Sequence, residues 1–159
     1  QSRCRRNNKR NIKDKGEIMN IIFFLTPKSE VAYINEDDTL RQVLEKMEHH
    51  RYTAMPIINK KGEYVGTITE GDLLFSIKNE YSLNFRDAEK IPVSKIVRRL
   101  DNVPVHIDSN IEDLFLIATN QNFVPVIDDK HVFIGIVTRK EIIQFFYEQC
   151  HNHNITKSD

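Results

Sequence analysis

Leu40, Val43, Leu44 and Met47 stand at i, i+3, i+4 and i+7, which gathers them on one face of a helix, and Ile111, Leu114, Phe115 and Ala118 repeat that spacing in the second half of the chain. Asp38 or Thr39 can cap the first helix, with Gln42 in capping-box position to Thr39. Ser109 precedes the second, with Glu112 three residues on. A short extended segment leads into each, Val31 to Ile34 and Val105 to Ile107. Beyond the helices the period shortens: two apolar strands flank a turn-forming run, Asn59-Lys60-Lys61-Gly62 in one half and Asp128-Asp129-Lys130 in the other. The first half continues with a strand from Tyr64 to Thr69 and a helix from about Gly71 to Ile77; the second closes with a helix from Lys140 to about Gln149. The pattern predicts an α/β (α+β) chain of two βαββα repeats related by pseudo-twofold symmetry.

The repeats match residue by residue. Met55-Pro56-Ile57-Ile58-Asn59 is answered by Val124-Pro125-Val126-Ile127-Asp128, and Val65 to Asp72 by Ile134 to Glu141; Pro125 lies 69 residues after Pro56, and Thr138 lies 69 after Thr69. Units of about 60 residues are marginal alone but adequate when fused, so the two are expected to share one core and bury matching faces against each other, with function at the seam. The expected division is a basic tail at 1–18, repeat one at 22–78, a polar and aperiodic connector at 79–92, repeat two at 93–149 and a polar tail at 150–159. Pro92 and Pro104 bracket a short helical stretch around Val93 to Leu100.

The 159 residues carry a formal charge of zero, but residues 1–18 hold seven Arg or Lys against Asp14 and Glu17, which leaves the rest at about −5. A tail with no apolar periodicity reads as disordered or as upstream sequence. The remainder has no basic character to suggest nucleic acid. Ile21 to Leu25 is too short to span a bilayer, and no small-residue cleavage site follows it, so the expectation is a cytoplasmic protein without a membrane segment. Cys4 and Cys150, at opposite ends, indicate neither a disulfide framework nor a zinc site. His49 and His50 are adjacent and cannot form an i, i+4 metal pair; His106 alternates with apolar strand neighbours, His131 sits beside a turn, and His151 and His153 fall in the polar tail. No metal is expected. Neither a Cys-His nor a Ser-His-Asp arrangement nor a Walker-type loop is present, and no catalytic residue is assigned.

The pattern with chemical content is Gly-x-x-Thr-x-x-Asp/Glu at each strand-to-helix junction, Gly66-Thr69-Asp72 and Gly135-Thr138-Glu141. A hydroxyl at the end of a strand, followed by a helix N-terminus with free N–H groups, suits a phosphate, and a carboxylate three residues on can accept from a ribose diol. The alternative is that Thr69 and Thr138 only cap their helices while the carboxylates favour the helix dipole.

These residues resemble the CBS domain family, and the tandem resembles a Bateman module over about residues 22 to 149. The likeness rests on the Pro-hydrophobic-hydrophobic-Asn/Asp strand, the Gly-x-x-Thr-x-x-Asp/Glu junction and the amphipathic helix before each. It implies a regulatory protein, not an enzyme, that binds adenine nucleotides or S-adenosylmethionine in clefts between the repeats and forms a homodimer through its helices. A narrower resemblance, to small stand-alone bacterial CBS proteins that bind cyclic di-AMP, rests on Val31-Ala32, on Tyr52-Thr53-Ala54-Met55-Pro56 and on Val132 to Arg139. It implies a main cleft of Val31, Ala32, Tyr52, Thr53, Ala54, Pro56, Thr138, Arg139 and Lys140, in which Ala32 and Tyr52 to Ala54 hold an adenine while Arg139 and Lys140 answer the phosphates. Glu30 stands where these relatives have a basic residue and Lys140 where they have arginine; Lys28 is a substitute cation. By pseudo-symmetry a second cleft comprises Val103, Phe123, Val124, Thr69 and Asp72, with Glu70 and Gly71 in place of the two cations. The regulatory ligand implied is cyclic di-AMP, the alternatives being an AMP, ADP or ATP energy sensor and an interaction scaffold without a nucleotide. The same resemblance suggests a partner enzyme such as a (p)ppGpp synthetase.

Overall fold

The computed structural model describes residues 20–82 and 84–155. The expected basic tail and Cys4 lie outside these residues. Two short strands open the chain, β1 (Thr26–Pro27) and β2 (Ile34–Asn35), followed by helix α1 (Leu40–His50). Thr39 begins α1 with the anticipated capping box: its side chain accepts from the Gln42 N–H, and its own N–H donates to Gln42 Oε1 at 2.8 Å. Leu40, Val43 and Met47 are buried on one face. Strands β3 (Ala54–Ile58) and β4 (Tyr64–Thr69) form an antiparallel hairpin, and helices α2 (Glu70–Glu80) and α3 (Phe85–Ala88) follow. The second repeat runs β5 (Val105–His106), α4 (Ile111–Ala118), β6 (Phe123–Ile127), β7 (Phe133–Thr138) and α5 (Arg139–Ile155).

The turns obey their side chains. Asn59 Oδ1 accepts the N–H of Lys61 at 2.9 Å, and Asp128 Oδ1 that of Lys130 at 2.9 Å. The closing positions, Gly62 (φ 83°) and His131 (φ 61°), are both left-handed, a region glycine enters freely and histidine at some strain.

Local expectations fail at several points. Strand β2 is shorter than Val31 to Ile34, because Val31 leaves a 3₁₀ turn at Lys28–Glu30 and parallel pairing begins only at Ile34 with Ile57. Asn110, not Ser109, is the N-cap of α4, with no side-chain cap bond. Between Pro92 and Pro104 the helix is one 3₁₀ turn, Val93–Lys95. The expected connector holds the end of α2 and all of α3, and Ile91 O accepts the N–H of Leu40 at 2.8 Å. Helix α5 runs through residues 150–155, where a polar tail was expected.

The core is two clusters rather than one, and each borrows from the opening segment of the other repeat. Sheet β2-β3-β4 packs with α1, α2, Val93 and Ile96; sheet β1-β7-β6-β5 packs with α4, α5, Ile21 and Phe24. Phe24 meets Phe145 edge to face at 5.1 Å. Thus Ile21 to Leu25, the apolar run near the front, is a 3₁₀ turn buried against repeat two, and β1 adds antiparallel to β7, Thr26 opposite Ile136. The two hairpin tips meet at the pseudo-dyad, where the Phe133 N–H donates to Gly62 O at 2.8 Å.

Candidate functional site

Helix α1 ends where Arg51 takes left-handed backbone (φ 59°, ψ 37°), its N–H toward the carbonyls of Glu48 and Met47, while the Tyr52 N–H donates to Met47 O at 3.1 Å. Such a reversal satisfies the orphan carbonyls of the last turn and redirects the chain. It carries Tyr52, Thr53 and Ala54 across the front of the sheet into β3. Tyr52 is exposed, its ring stacked on His50 at 5.5 Å and 17°.

A cleft of about 360 Å³ opens there, between the repeats. Val31, Ala32, Tyr52, Thr53, Ala54 and Pro56 line it from repeat one, together with Thr26 and Glu30. Asn122, Phe123, Ile136 and Thr138 line it from repeat two, and Arg51 stands at its edge. Seven of the nine residues expected at the main cleft are therefore brought together. Arg139 and Lys140 do not border the cavity. Arg139 Nε donates to the carbonyls of Ala118 at 3.0 Å and Gln121 at 3.1 Å, so the guanidinium stem clamps the end of α4 rather than facing the cleft; Lys140 is exposed to solvent. Lys28, the candidate substitute cation, lies over the Tyr33 ring at 5.4 Å.

The second set does not assemble as expected. Phe123 belongs to the main cleft, since β6 presents it toward Ile136 and Thr138. Val124 points the other way and is 0% exposed in the second core. Val103 is 55% exposed and stitched to Gln121, which accepts its N–H and donates to its carbonyl, both at 2.9 Å. Thr69 and Asp72 are locked together: Asp72 Oδ2 accepts from the Thr69 hydroxyl at 2.7 Å and the Thr69 N–H at 3.0 Å, and Oδ1 accepts the Arg99 N–H at 3.1 Å. With both oxygens engaged and 2% exposure, Asp72 is not presented to a ribose. Glu141 is similarly engaged, one oxygen on the Thr138 hydroxyl (2.9 Å) and the other on the Thr26 hydroxyl (3.2 Å). The capping alternative accounts for both carboxylates.

Five residues of the main cleft escaped the sequence reading: Thr26, Arg51, Asn122, Ile136 and, by its assignment to the other cleft, Phe123. Ile136 shares a strand face with Thr138 by period two and was within reach of pattern alone. Thr26 carried no signal, because its place depends on pairing with a strand about 110 positions away.

A second, open cavity of about 770 Å³ lies on the other side of Arg51, walled by α1 and the start of α2 with Phe85. Among the described residues no group of three or more His, Cys, Asp or Glu stands where it could hold a metal ion, and no described helix is long and apolar enough to cross a membrane.

Residues 17–79 and 93–148 match the family model of the CBS domain. The chain belongs to the CBS domain family. The CBS pair is a regulatory ligand-binding unit. Its curated relatives include the cyclic di-AMP receptor B of Bacillus subtilis, 27% identical over 122 residues that span 76% of this chain and 82% of that protein. Among solved structures, CbpB in complex with c-di-AMP superposes with a TM-score of 0.77 at 21% identity, covering 87% of this chain and 91% of that one. CBSX2 in complex with AMP superposes with a TM-score of 0.65 at 23% identity, covering 81% and 96%. At these identities the two structures establish the CBS fold.

Proposed function

We propose that this CBS pair is a regulatory nucleotide sensor that takes cyclic di-AMP in the main cleft and thereby controls the docking of partner proteins. The supporting observation is the cleft itself: a cavity between the repeats bounded by Ala32, by Tyr52 to Ala54 and by Phe123, apolar walls with a flat ring at the mouth. Such a site suits a purine, which buries its faces and offers its edge to backbone groups. The kinship with the cyclic di-AMP receptor favours the dinucleotide. In this reading Arg139 and Lys140, at the start of α5 behind Thr138, answer phosphates beyond the cavity wall, Arg139 with the guanidinium nitrogens that its Nε contacts leave over. Signalling follows by population shift: a nucleotide that binds one arrangement of the Thr138 to Lys140 junction more tightly moves α5 and the surface it shows to a partner.

The same reading makes the chain a cytoplasmic homodimer that regulates rather than catalyses, with a (p)ppGpp synthetase as one candidate partner enzyme. Leu116, Ile143 and Phe146 are exposed on α4 and α5, an apolar helical face that a second copy would cover.

A second reading is an AMP, ADP or ATP sensor, and one observation favours AMP within it: Glu30 borders the cleft, and a carboxylate there repels a second phosphate, which AMP lacks. Thermal melts of the purified protein with cyclic di-AMP, AMP, ADP, ATP, S-adenosylmethionine and cyclic di-GMP separate the two. Ligand at about 100 times its Kd adds roughly 2.7 kcal/mol. A larger shift with cyclic di-AMP than with any mononucleotide at equal concentration is expected. Shifts with mononucleotides alone would establish the second reading, and no shift with any would leave a scaffold.

A further inference from the structure

Among the residues that line the cleft only Glu30 and Arg51 carry a full charge. Arg51 is exposed, and among the described residues its guanidinium has no ion-pair partner, unlike Arg41, Lys46, Lys60 and Arg98. Arg139, by contrast, spends Nε on two carbonyls. The backbone sharpens the point. Arg51 closes α1 in the left-handed region, a position at which glycine meets no steric cost and a long side chain does. A strained residue held at the mouth of a cleft points to a use for its side chain.

We infer that Arg51 is the specificity-determining cation of this cleft, the group that reads a phosphate lodged in the cavity itself, distinct from any held by Arg139 and Lys140 beyond its wall, while Glu30 at the opposite charge accepts from a hydroxyl or amino group of the same ligand. This rests on the nucleotide reading of the cleft. The two charges make the site bipolar, suited to a ligand with an anionic end and a donor-rich end. A guanidinium holds a phosphate through two parallel N–H donors, which a lysine does not reproduce. Arg51 also borders the neighbouring cavity, where Glu48 and Glu70 stand. A phosphate that draws the guanidinium into the cleft takes a positive charge from that acidic surface of α1 and α2, so occupancy is reported on a helical face outside the cleft.

Calorimetric titration of wild-type protein and of Arg51→Gly, Arg51→Lys and Arg139→Ala with AMP, cyclic di-AMP and adenosine tests this. Arg51→Gly is expected to weaken AMP and cyclic di-AMP on the order of 10- to 100-fold, the loss of a charge-assisted contact, and to leave adenosine unchanged. Arg51→Lys should fall between, and the AMP-to-adenosine preference should survive Arg139→Ala. Glycine suits the backbone at this position, and a melting temperature no lower than wild type shows that the variant is folded. Equal AMP affinity in wild type and Arg51→Gly, or an equal loss for adenosine, overturns the assignment while the nucleotide reading stands. A wild-type protein that binds neither AMP nor cyclic di-AMP overturns both.

Discussion

The backbone N–H of Thr67 donates to the carboxylate of Asp101 at 2.8 Å, whereas the matching position of the second repeat, Ile136, is paired with Thr26 of β1. One edge of each hairpin is thus covered by the opening segment of the other repeat, once by a side chain and once by a strand. An uncovered edge would expose N–H and C=O groups. Asp101 also holds Arg98 at 2.8 Å, and Asn102 beside it donates to Phe123 O at 2.8 Å. The pseudo-symmetric counterpart of the main cleft is occupied by the protein's own polar groups.

Removing Asp101 should loosen that region. Thr67 is buried, and Asp101→Ala would leave its N–H without an acceptor; the expected cost is about 1–3 kcal/mol. In a domain of this size each kcal/mol lowers Tm by roughly 2–4 °C. Asp101→Asn retains an acceptor and should cost less. Urea unfolding of the two variants against wild type checks the order.

Gly66 and Gly135 occupy equivalent positions, yet alanine should be worse at the second. A Cβ on Gly135 would run into the carbonyl oxygen of Thr26, which is backbone of β1, whereas a Cβ on Gly66 would meet the Asp101 and Arg98 side chains, which can shift at the expense of the Asp101–Thr67 hydrogen bond but without displacing a strand. Overpacking of this kind costs about 1–3 kcal/mol. Hydrogen exchange should show β1 released in Gly135→Ala, and comparable protection in both variants would refute the asymmetry.

Arg51→Gly should stabilise the protein in the absence of ligand. The left-handed geometry costs an L side chain roughly 1–2 kcal/mol, part of which is offset by the entropy glycine adds to the unfolded chain. The expected net gain is under about 1 kcal/mol, read as a small rise in Tm, together with the phosphate-affinity loss described above.

Alkaline stability should fall through Tyr64. Its phenol lies among Phe133, Thr67 and Asn102, donates to Asn102 O at 2.8 Å, and has its pKa pushed from an ordinary 10.0 up to about 12, chiefly by burial. The folded value exceeds the unfolded one, so this contribution is intact below pH 10 and is lost as pH rises from 10 through 12. Tyr64→Phe removes that dependence and, by orphaning the Asn102 carbonyl, costs about 1 kcal/mol at neutral pH. Denaturant melts at pH 7 and across pH 9 to 12 would show both effects.

Much of the CBS pair was legible in one dimension, because its devices span three or four residues. The capping box of Thr39 and Gln42, the matching pairs Thr69–Asp72 and Thr138–Glu141, the Asx turns at Asn59 and Asp128 and the 69-residue echo are all local. Ala32, Tyr52, Thr53, Ala54 and Pro56 were legible as cleft residues through resemblance, and they stand there.

The sequence by itself therefore determined the repeat and most of its elements, since hydrogen bonds within a turn and periodic burial depend only on near neighbours, while one wall of the cleft came through the resemblance alone. The tertiary structure decided what crosses the pseudo-dyad: that Thr26 pairs with Ile136, that Phe123 faces the main cleft, that Arg139 turns onto the carbonyls of Ala118 and Gln121, and that Arg51 reaches the cleft edge. Those placements come from packing between segments far apart in the chain, and no local period encodes which distant surface a side chain will meet.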